Sequence, residues 1–388
     1  MKAIFVRSPY SIVVNFATQV ETKLELYLWN KPNVSPLVPT YTFSALIPSL
    51  TQRTAYYNIA SECQEYIENI NPNYTVSTEQ NNMYAYAKAI TSYRTVSGGT
   101  WTQYSNETFI CLYGYSEYSQ GVNYSIDQEV TMLNSGGLFG SVQNIPINNN
   151  DLKFTVDTTA TKVDSTLITA DKYWIALDYS SILDPYINVL IQDAGSDYTI
   201  VYQNAFKTIT TEISIVGNEA LLKIPLEAPS YTFDNPYTIY LKVNGTTVFS
   251  RGIIPTCETK YTPLLLSFIN KLGGWENIWL MKLSETTITA KGTDYNLSTS
   301  TFNYNKFKGQ SKSFNRNGKK VIKANTGWID ENSNSLLTEL MMSETILLSN
   351  EPVLLKTESQ LLKQYVKDKN INYALEFEYK SNLINTVV

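Results

Sequence analysis

Short segments in which apolar and polar residues alternate are the feature that most constrains the fold of this chain. In "NYALEFEYK" (372–380), Tyr373, Leu375, Phe377 and Tyr379 share one face, and charged residues take the other. This period of two is that of a β-strand with one buried side. Further strands are predicted at 11–16, 24–29, 84–94 and 108–114. The chain is therefore expected to be mainly β.

Turn residues between these segments predict hairpins. Asn244-Gly245 lies inside "TIYLKVNGTTVFSRG" (238–252) and supplies the two positive-φ positions of a type I′ turn. The same reasoning predicts hairpins across Gly217-Asn218 and Asn317-Gly318, and a further turn at Asn350-Glu351. These antiparallel hairpins indicate sandwich-like sheets.

Two segments have the spacing of a helix. In "NIASECQEYIENI" (58–70) the residues Ile59, Cys63, Ile67 and Ile70 fall on one face, and Ser61–Gln64 has the form of a capping box. In "NSNSLLTELMMS" (332–343) a stripe of leucine and methionine follows an asparagine or serine cap. Each segment predicts one helix packed on a sheet.

The order of these segments predicts three domains. Glycine and asparagine cluster around Pro146, and such clusters mark a linker. We expect an amino-terminal β-sandwich with one helix over 1–133, a linker over 134–151, and a middle β-sandwich over 152–258. The last domain, 259–388, is expected to be a β-domain with one packed helix.

Composition limits the chemistry that the chain can perform. There is no histidine, so Ser-His-Asp and Cys-His sites cannot be built and the commonest metal ligand is missing. The three cysteines are widely spaced, which predicts free buried thiols. We therefore expect no enzyme activity, no cofactor and no metal. A carboxylate-dependent glycan hydrolase stays open as an alternative. It is the weaker one, because no pair of acidic residues can be singled out in the sequence.

Neither export nor a membrane anchor is expected. The apolar run in "MKAIFVRSPYSIVV" is interrupted by Arg7, Ser8 and Pro9, which makes it a poor secretion signal. No run of 18 apolar residues occurs.

The densest stretch is "KYTPLLLSFINKLGGWENIWLMK" (260–282), where two apolar runs flank Gly273-Gly274. Trp275 and Trp279 lie just beyond the glycines, and both runs are apolar on both faces. Strands apolar on both faces are buried between layers. We therefore predict that these tryptophans fill a core or an interface; a ligand-stacking site is the alternative.

A basic segment interrupts an acidic chain. Seven basic residues and no acidic residue lie between Lys306 and Lys323, although the net charge of the chain is −5. One interpretation is a solvated edge hairpin that lysines protect against stray pairing. The other is a projecting hairpin that docks on an acidic neighbour or on nucleic acid.

Two parts of the sequence resemble structural proteins of tailed bacteriophages that infect the Bacteroides–Flavobacterium group. They are "VRSPYSIVVNF…LELYLWNK…YYNIASECQEYIE" and "CETKYTPLLLSFINKLGGWENIWLMK…FNRNGKKVIKANTGWIDENSNSLLTELMMSETILL…NYALEFEY". Residues from about 135 to 235 do not take part in the resemblance. The order of strands, helix and strands over 283–380 is similar to that of tail-tube and distal-tail proteins, which is analogy only.

The resemblance implies a non-enzymatic virion protein of the tail, baseplate or head-to-tail connector, made and assembled in the host cytoplasm. Its expected partners are copies of itself in a ring and other tail or connector proteins. Contact with nucleic acid through Lys306–Lys323 stays open. A carbohydrate-binding or adhesive β-protein at the tail tip is the alternative. We expect these residues at subunit contacts: Trp275, Trp279, Arg316, Asn317, Gly318, Lys319, Lys320 and Phe377.

Overall fold

A computed structural model gives the fold of this chain. The residues that it describes are 2–30, 33–47, 53–68, 78–79, 83–126, 130–132, 172–176, 186–191, 197–213, 220–225, 237–256, 261, 264–280, 283–297, 307, 309–327, 329–330, 334–362 and 370–384. The chain is mainly β, as the alternating segments predicted, and it contains several antiparallel sheets.

The first half of the chain contributes strands β1 to β14. They are β1 (Lys2–Phe5), β2 (Ser11–Asn15), β3 (Glu21–Trp29), β4 (Tyr41–Leu46), β5 (Thr54–Asn58), β6 (Thr78–Glu79), β7 (Tyr84–Arg94), β8 (Thr102–Leu112), β9 (Ser125–Ile126), β10 (Val130–Met132), β11 (Lys172–Ala176), β12 (Tyr186–Ile191), β13 (Tyr198–Gln203) and β14 (Thr208–Ile213).

The remaining strands follow in the second half. They are β15 (Ala220–Pro225), β16 (Tyr237–Val243), β17 (Thr246–Thr256), β18 (Leu264–Ile269), β19 (Trp275–Leu280), β20 (Glu285–Asn296), β21 (Ser311–Asn325), β22 (Ile329–Asp330), β23 (Ile346–Leu348), β24 (Glu351–Leu355), β25 (Asn370–Ile371) and β26 (Ala374–Asn382).

Two α-helices accompany the described strands, α1 (Ala60–Gln64) and α2 (Asn334–Met341), with a 3₁₀ turn at Tyr118–Gln120. Both helices were predicted, and Leu336, Leu337 and Leu340 form the buried stripe of α2. The predicted capping box at Ser61–Gln64 is wrong, because α1 has no side-chain cap bond at its N-cap residue, Ile59. Asn58 Oδ1 instead accepts a hydrogen bond from the backbone N–H of Ala60 at 3.2 Å.

The strands form four larger sheets. Their strand orders are β4-β3-β7-β8-β1-β9, β10-β12-β15-β6, β11-β17-β16-β13-β14 and β19-β18-β23-β24-β26-β21-β20. Two-stranded pairs, β2-β5 and β22-β25, complete the described set. Most pairings are antiparallel, whereas β1 runs parallel to β8 and β11 runs parallel to β17.

By its internal contacts the chain divides into two compact units. The larger comprises Met1–Cys257, Phe268–Ile278 and Asn332–Glu344, and the smaller comprises Glu258–Ser267, Trp279–Glu331 and Thr345–Val388. The division therefore falls within β18 and β19. The three domain boundaries drawn from the sequence stay a prediction, although β6 and β10, which precede residue 134, join sheet partners from the middle region.

A sandwich-like core forms within the larger unit. The β2-β5 pair contributes Ile12, Val14, Ala55 and Tyr57 to it, and the six-stranded sheet contributes apolar residues of β3, β7 and β8. Cys63 and Cys111 are free thiols buried in the same core, as predicted, and Cys257 lies outside the described residues. Burial raises the pKa of the Cys111 thiol, and its hydrogen bond with Cys63 adds to that effect.

Two hairpin predictions have clear outcomes in the middle region. The hairpin at Asn244-Gly245 is confirmed, since β16 pairs with β17 and these residues have φ of 51° and 78°. The hairpin across Gly217-Asn218 is wrong, because β14 pairs with β13, whereas β15 pairs with β12 and β6. Local turn residues therefore do not decide which strand β15 joins.

The smaller unit contains the end of the chain. On β26, Leu375, Phe377 and Tyr379 are buried, and Tyr373 just before it is buried too, which confirms the predicted alternation. The predicted turn near Asn350 is confirmed with a shift of one residue, because Ser349 and Asn350 carry the positive φ values between β23 and β24.

Candidate interaction surface

Within its described residues, the smaller unit carries a strand, β20, that is exposed along its whole length. All twelve residues of β20 are exposed, and the strand lies at the end of the seven-stranded sheet. Within the described part of the chain, β21 is the strand that pairs with it. The first six residues of β21, Ser311–Arg316, are also exposed, and β26 pairs with β21 only from Lys319 onward. We call β20 and its paired part of β21 the ribbon.

Apolar side chains on the ribbon are exposed among the residues that the structure describes. Ile288 on β20 is 62% exposed. Near the distal end Tyr295 and Phe314 meet edge to face, with ring centroids 5.5 Å apart, and the two residues are 42% and 47% exposed. Exposed apolar groups concentrated in one place are typical of a protein–protein contact.

The basic segment maps onto the second strand of the ribbon. Lys312, Arg316 and Lys323 are exposed on β21. Lys319 binds Glu378, and Lys320 lies 4.4 Å from the ring centre of Tyr379. Lys306 and Lys308 lie outside the described residues. Lys319 and Lys323 therefore lie where β21 pairs with both β20 and β26, whereas Lys312 and Arg316 lie on the part of β21 that β26 does not reach. The interpretation that lysines protect a sheet edge stays a prediction.

A polar cleft of about 690 Å³ opens beside the ribbon. Glu378 lines this cleft. Its carboxylate accepts a hydrogen bond from Lys319 Nζ at 2.5 Å and forms an ion pair with Lys356 at 3.3 Å. Both lysines lower the pKa of the Glu378 carboxyl, and the hydrogen bond from Lys319 has the largest effect. Lys291 adds a further ammonium to the lining. The cleft is lined by three lysines and one carboxylate, so its positive charge suits the binding of an acidic group. It lacks the pair of carboxylates that a glycan hydrolase needs.

The turn predicted at Asn317-Gly318 is wrong, since both residues lie inside β21. The positive φ falls instead on Asn315, at 51°, beside a register shift between Lys291 and Thr293. Asn317 bonds the chain end: its Nδ2 donates to the carbonyl of Ile384 at 2.8 Å, and its Oδ1 accepts from the N–H of Ile384 at 3.0 Å. The asparagine thus fixes the residues that follow β26.

The aromatic residues predicted at subunit contacts have different surroundings. Trp275 and Phe377 have no solvent exposure. The side chain of Trp279 lies outside the described residues. A stacking role for Trp275 is therefore excluded in this fold, because a sugar ring cannot reach a buried indole. Of the expected contact residues, Arg316 and Lys319 are exposed, and Asn317 and Lys320 are half-buried.

A second polar cluster, in the larger unit, surrounds the turn between β18 and β19. Asn270 Oδ1 accepts hydrogen bonds from the N–H groups of Leu272 and Gly274, both at 3.0 Å. The N–H of Lys271 donates to Glu339 Oε2 at 3.2 Å. Burial, with the nearby charge of Glu276, raises the pKa of Glu339 to about 8. Sequence reasoning missed these two acids, because nothing in the sequence distinguishes them from surface glutamates.

Two glycines let backbone touch backbone at this turn. A Cβ on Gly114 would lie 2.6 Å from the carbonyl oxygen of Lys271, and one on Gly273 would lie 2.8 Å from the amide nitrogen of Tyr113. The N–H of Tyr115 donates to the carbonyl of Lys271 at 2.8 Å. The hydrogen bonds and close packing make this cluster a structural junction and not an open site.

Arg7 ties the start of the chain to the end of α2 within the larger unit. It forms an ion pair with Glu344 at 3.0 Å and donates to the carbonyl of Met342 at the same distance. Its guanidinium also lies 5.1 Å from the ring centre of Tyr115. The arginine therefore has a packing role, which explains the charge that interrupts the first apolar run.

Comparison with known proteins does not identify a family. No protein-family model matches the chain, and no curated protein matches it. Among solved structures, native alpha-2-macroglobulin of E. coli aligns with 96% of this chain at 7% identity and a TM-score of 0.20. The chain covers 20% of that protein's length. A TM-score this low carries no argument about fold or function.

The described residues offer neither a membrane-spanning helix nor a metal site. No helix there is long and apolar enough to span a membrane. The same residues contain no group of three or more His, Cys, Asp or Glu side chains placed to hold a metal ion. The ribbon and its cleft are therefore the strongest candidate for function.

Proposed function

We propose that this chain is a non-enzymatic structural protein of a tailed bacteriophage, which assembles with copies of itself into a ring of the tail, baseplate or head-to-tail connector. The observation that carries the proposal is β20, exposed at all twelve positions. A long, unblocked edge strand invites pairing with another chain. In an assembly protein that edge has a use, because neighbouring copies or other tail proteins cover it.

Charge supports a contact between copies. The ribbon carries three charged residues on β20 and five on its paired part of β21, with a net charge of +4, so the rest of a chain with net charge −5 carries −9. This difference favours contact between the ribbon of one copy and the remainder of another. Head-to-tail contacts of this kind close into rings when the rotation between copies divides the circle. The exposed Tyr295 and Phe314 supply apolar area for the same contact.

The adhesive alternative loses its main support. It named Trp275 and Trp279 as the residues that would stack on a sugar ring; Trp275 is fully buried, and the side chain of Trp279 lies outside the described residues. Neither the cleft nor the ribbon places a described tryptophan against open solvent on a flat face. We therefore keep the structural role as the proposal, with the resemblance to phage structural proteins as its second support.

Localisation tests the role directly. Peptide mapping of purified phage particles should recover this chain in fixed stoichiometry with the tail proteins, and labelled antibody should mark one position in every particle. Negative-stain images of the purified chain should show rings. A chain that is absent from washed particles, and that remains monomeric at high concentration, contradicts the proposal.

A further inference from the structure

The outer edge of β20 has the properties of an edge strand that can pair with a strand of another chain. Its first seven residues, "ETTITAK" (285–291), are mostly β-branched and pair in regular register with β21. No proline interrupts them, and Lys291 is the single lysine. Natural edges are usually protected by prolines, bulges or several lysines. The register shift on this strand comes only after Lys291, so the first seven residues form an unprotected edge.

These seven residues are complementary to themselves. When a strand pairs antiparallel with its own copy around a central residue, positions equally far from the centre face each other. With Ile288 at the centre, Glu285 faces the partner's Lys291, and Lys291 faces the partner's Glu285. Each is three residues from Ile288, so both lie on the same face of the sheet. Opposite charges at directly opposed positions stabilise a strand pair.

The other residues that face each other in this register are also compatible with antiparallel self-pairing. Thr287 faces the partner's Thr289, and threonines in opposed positions hydrogen-bond well. Thr286 faces the partner's Ala290. Ile288, 62% exposed in one copy, meets its own counterpart on the two-fold axis and becomes covered. Glu285 lies opposite Lys323 of its own β21, but within the described part of the chain neither Glu285 nor Lys291 forms an ion pair.

We propose that two copies of this chain pair antiparallel along β20, centred on Ile288, and join their seven-stranded sheets into one continuous sheet. This inference rests on the proposed role in self-assembly, and it adds a two-fold contact distinct from any contact that closes a ring. The occupant of the edge is a second copy because Glu285, Ile288 and Lys291 match their own copy position by position. An unrelated strand has no reason to present that pattern.

Charge exchange on the full-length chain tests the pairing. Glu285→Lys places lysine against lysine, and Lys291→Glu places glutamate against glutamate, so each variant should bind itself at least about tenfold more weakly. Sedimentation velocity should show each single variant at half the wild-type mass. Mixing the two variants restores both ion pairs and should restore the full mass. The double variant, Glu285→Lys with Lys291→Glu, should also regain it.

Lys380→Glu provides the matched control. It makes the same change of charge at an exposed residue of β26, outside the ribbon and the basic segment, so the mass should remain that of wild type. If both single variants keep the wild-type mass, the β20 pairing is wrong, and a ring closed by other contacts is unaffected. If wild type itself stays monomeric, the pairing is wrong and self-assembly fails with it.

Single cysteines test the centre of the pair. Ile288→Cys puts two thiols on the two-fold axis, so mild oxidation by glutathione disulfide should yield a covalent dimer. Thr286→Cys alone faces the partner's Ala290 and should cross-link far less, whereas a mixture of Thr286→Cys and Ala290→Cys should cross-link. Wild type measures the background from its own cysteines. Equal cross-linking at 286 and 288 would overturn the register.

Discussion

The ionisation of Glu339 affects the stability of this fold. Its carboxyl is largely buried beside Glu276, and its pKa rises from 4.5 to about 8. Between these values the folded chain keeps a proton that the unfolded chain has released. The free energy of unfolding therefore falls as pH rises through this window, by up to about 1.4 kcal/mol per pH unit.

Glu339→Gln should remove this pH dependence. The amide oxygen can still accept the hydrogen bond from Lys271, and the group never ionises. Urea unfolding between pH 5 and 8 should give a flatter profile for the variant, and the variant should be more stable than wild type at pH 8. Glu117→Gln is the control, because Lys271 lowers the pKa of Glu117 and its titration falls below this range. An unchanged slope in Glu339→Gln would contradict the assignment.

Gly273 should tolerate no side chain, for a reason that a matched glycine can isolate. Gly273 and Gly245 have similar positive φ values, 83° and 78°. A Cβ at Gly273 would clash with the backbone of Tyr113 and Gly114, whereas one at Gly245 would meet nothing within 4 Å. Alanine at Gly245 should cost about 1 kcal/mol, the usual penalty for this conformation.

Alanine at Gly273 should cost a further 1–3 kcal/mol, roughly the cost of overpacking. Thermal and urea unfolding of the two variants measure the difference directly. Equal losses of stability would mean that the backbone contact between the turn and residues 113–114 gives way without cost, and that the junction is not tight.

At the scale of elements, local sequence patterns predicted the positions of the strands better than they predicted which strands pair with each other. The alternation of β26 and the turn at Asn244-Gly245 follow from neighbouring residues alone, so the sequence was sufficient. The partner of β15 is β12, more than 25 residues earlier, and no local signal selects it over β14. At Asn317-Gly318 the sequence pattern of a turn was misleading, because pairing with β20 and β26 keeps the backbone extended there.

The candidate surface was predicted in part. The basic segment was visible as an excess of charge, and the structure places it on the ribbon. The open edge of β20 was missed because a threonine-rich strand exposed on both faces shows no alternation of apolar and polar residues. The signal was nevertheless present in "ETTITAK", where uninterrupted β-formers carry a charge of opposite sign at each end.

Asn317 should hold the end of the chain against β21. Its amide makes two hydrogen bonds with Ile384, and the N–H of Leu383 donates to the carbonyl of Gly318 at 2.8 Å. Asn317→Ala removes both side-chain bonds, so hydrogen exchange in peptides covering 380–388 should become faster by about tenfold, which corresponds to about 1.4 kcal/mol.

Asn317→Asp separates the two bonds. The carboxylate still accepts from the N–H of Ile384, but it cannot donate to the carbonyl, so exchange should be intermediate. Peptides covering 237–256, in the middle region, should exchange at the wild-type rate in both variants. Wild-type protection of 380–388 in Asn317→Ala would show that backbone pairing alone holds this segment.

For the whole molecule, the two proposed contacts together determine the symmetry of the assembly. Head-to-tail contacts generate a ring with one rotation axis, and a two-fold contact through β20 joins two such rings face to face. The free protein should therefore form double rings with an even number of copies. Glu285→Lys, which lies outside the cleft, opposes the two-fold contact by placing lysine against the partner's Lys291. Mass photometry should then find particles of half the mass, and images should show single rings of unchanged diameter.

In the proposed tail assembly, a structure that is polar along its length has no two-fold axis across it, so a double ring cannot be incorporated intact. The β20 pair would have to open before incorporation, and the edge would then pass to another tail protein. Ile288→Cys, oxidised in the free protein, should consequently be excluded from particles during assembly in vitro, and reduction should restore its entry. Entry of the cross-linked pair at the wild-type rate would place the β20 contact inside the finished tail and would contradict this order of events.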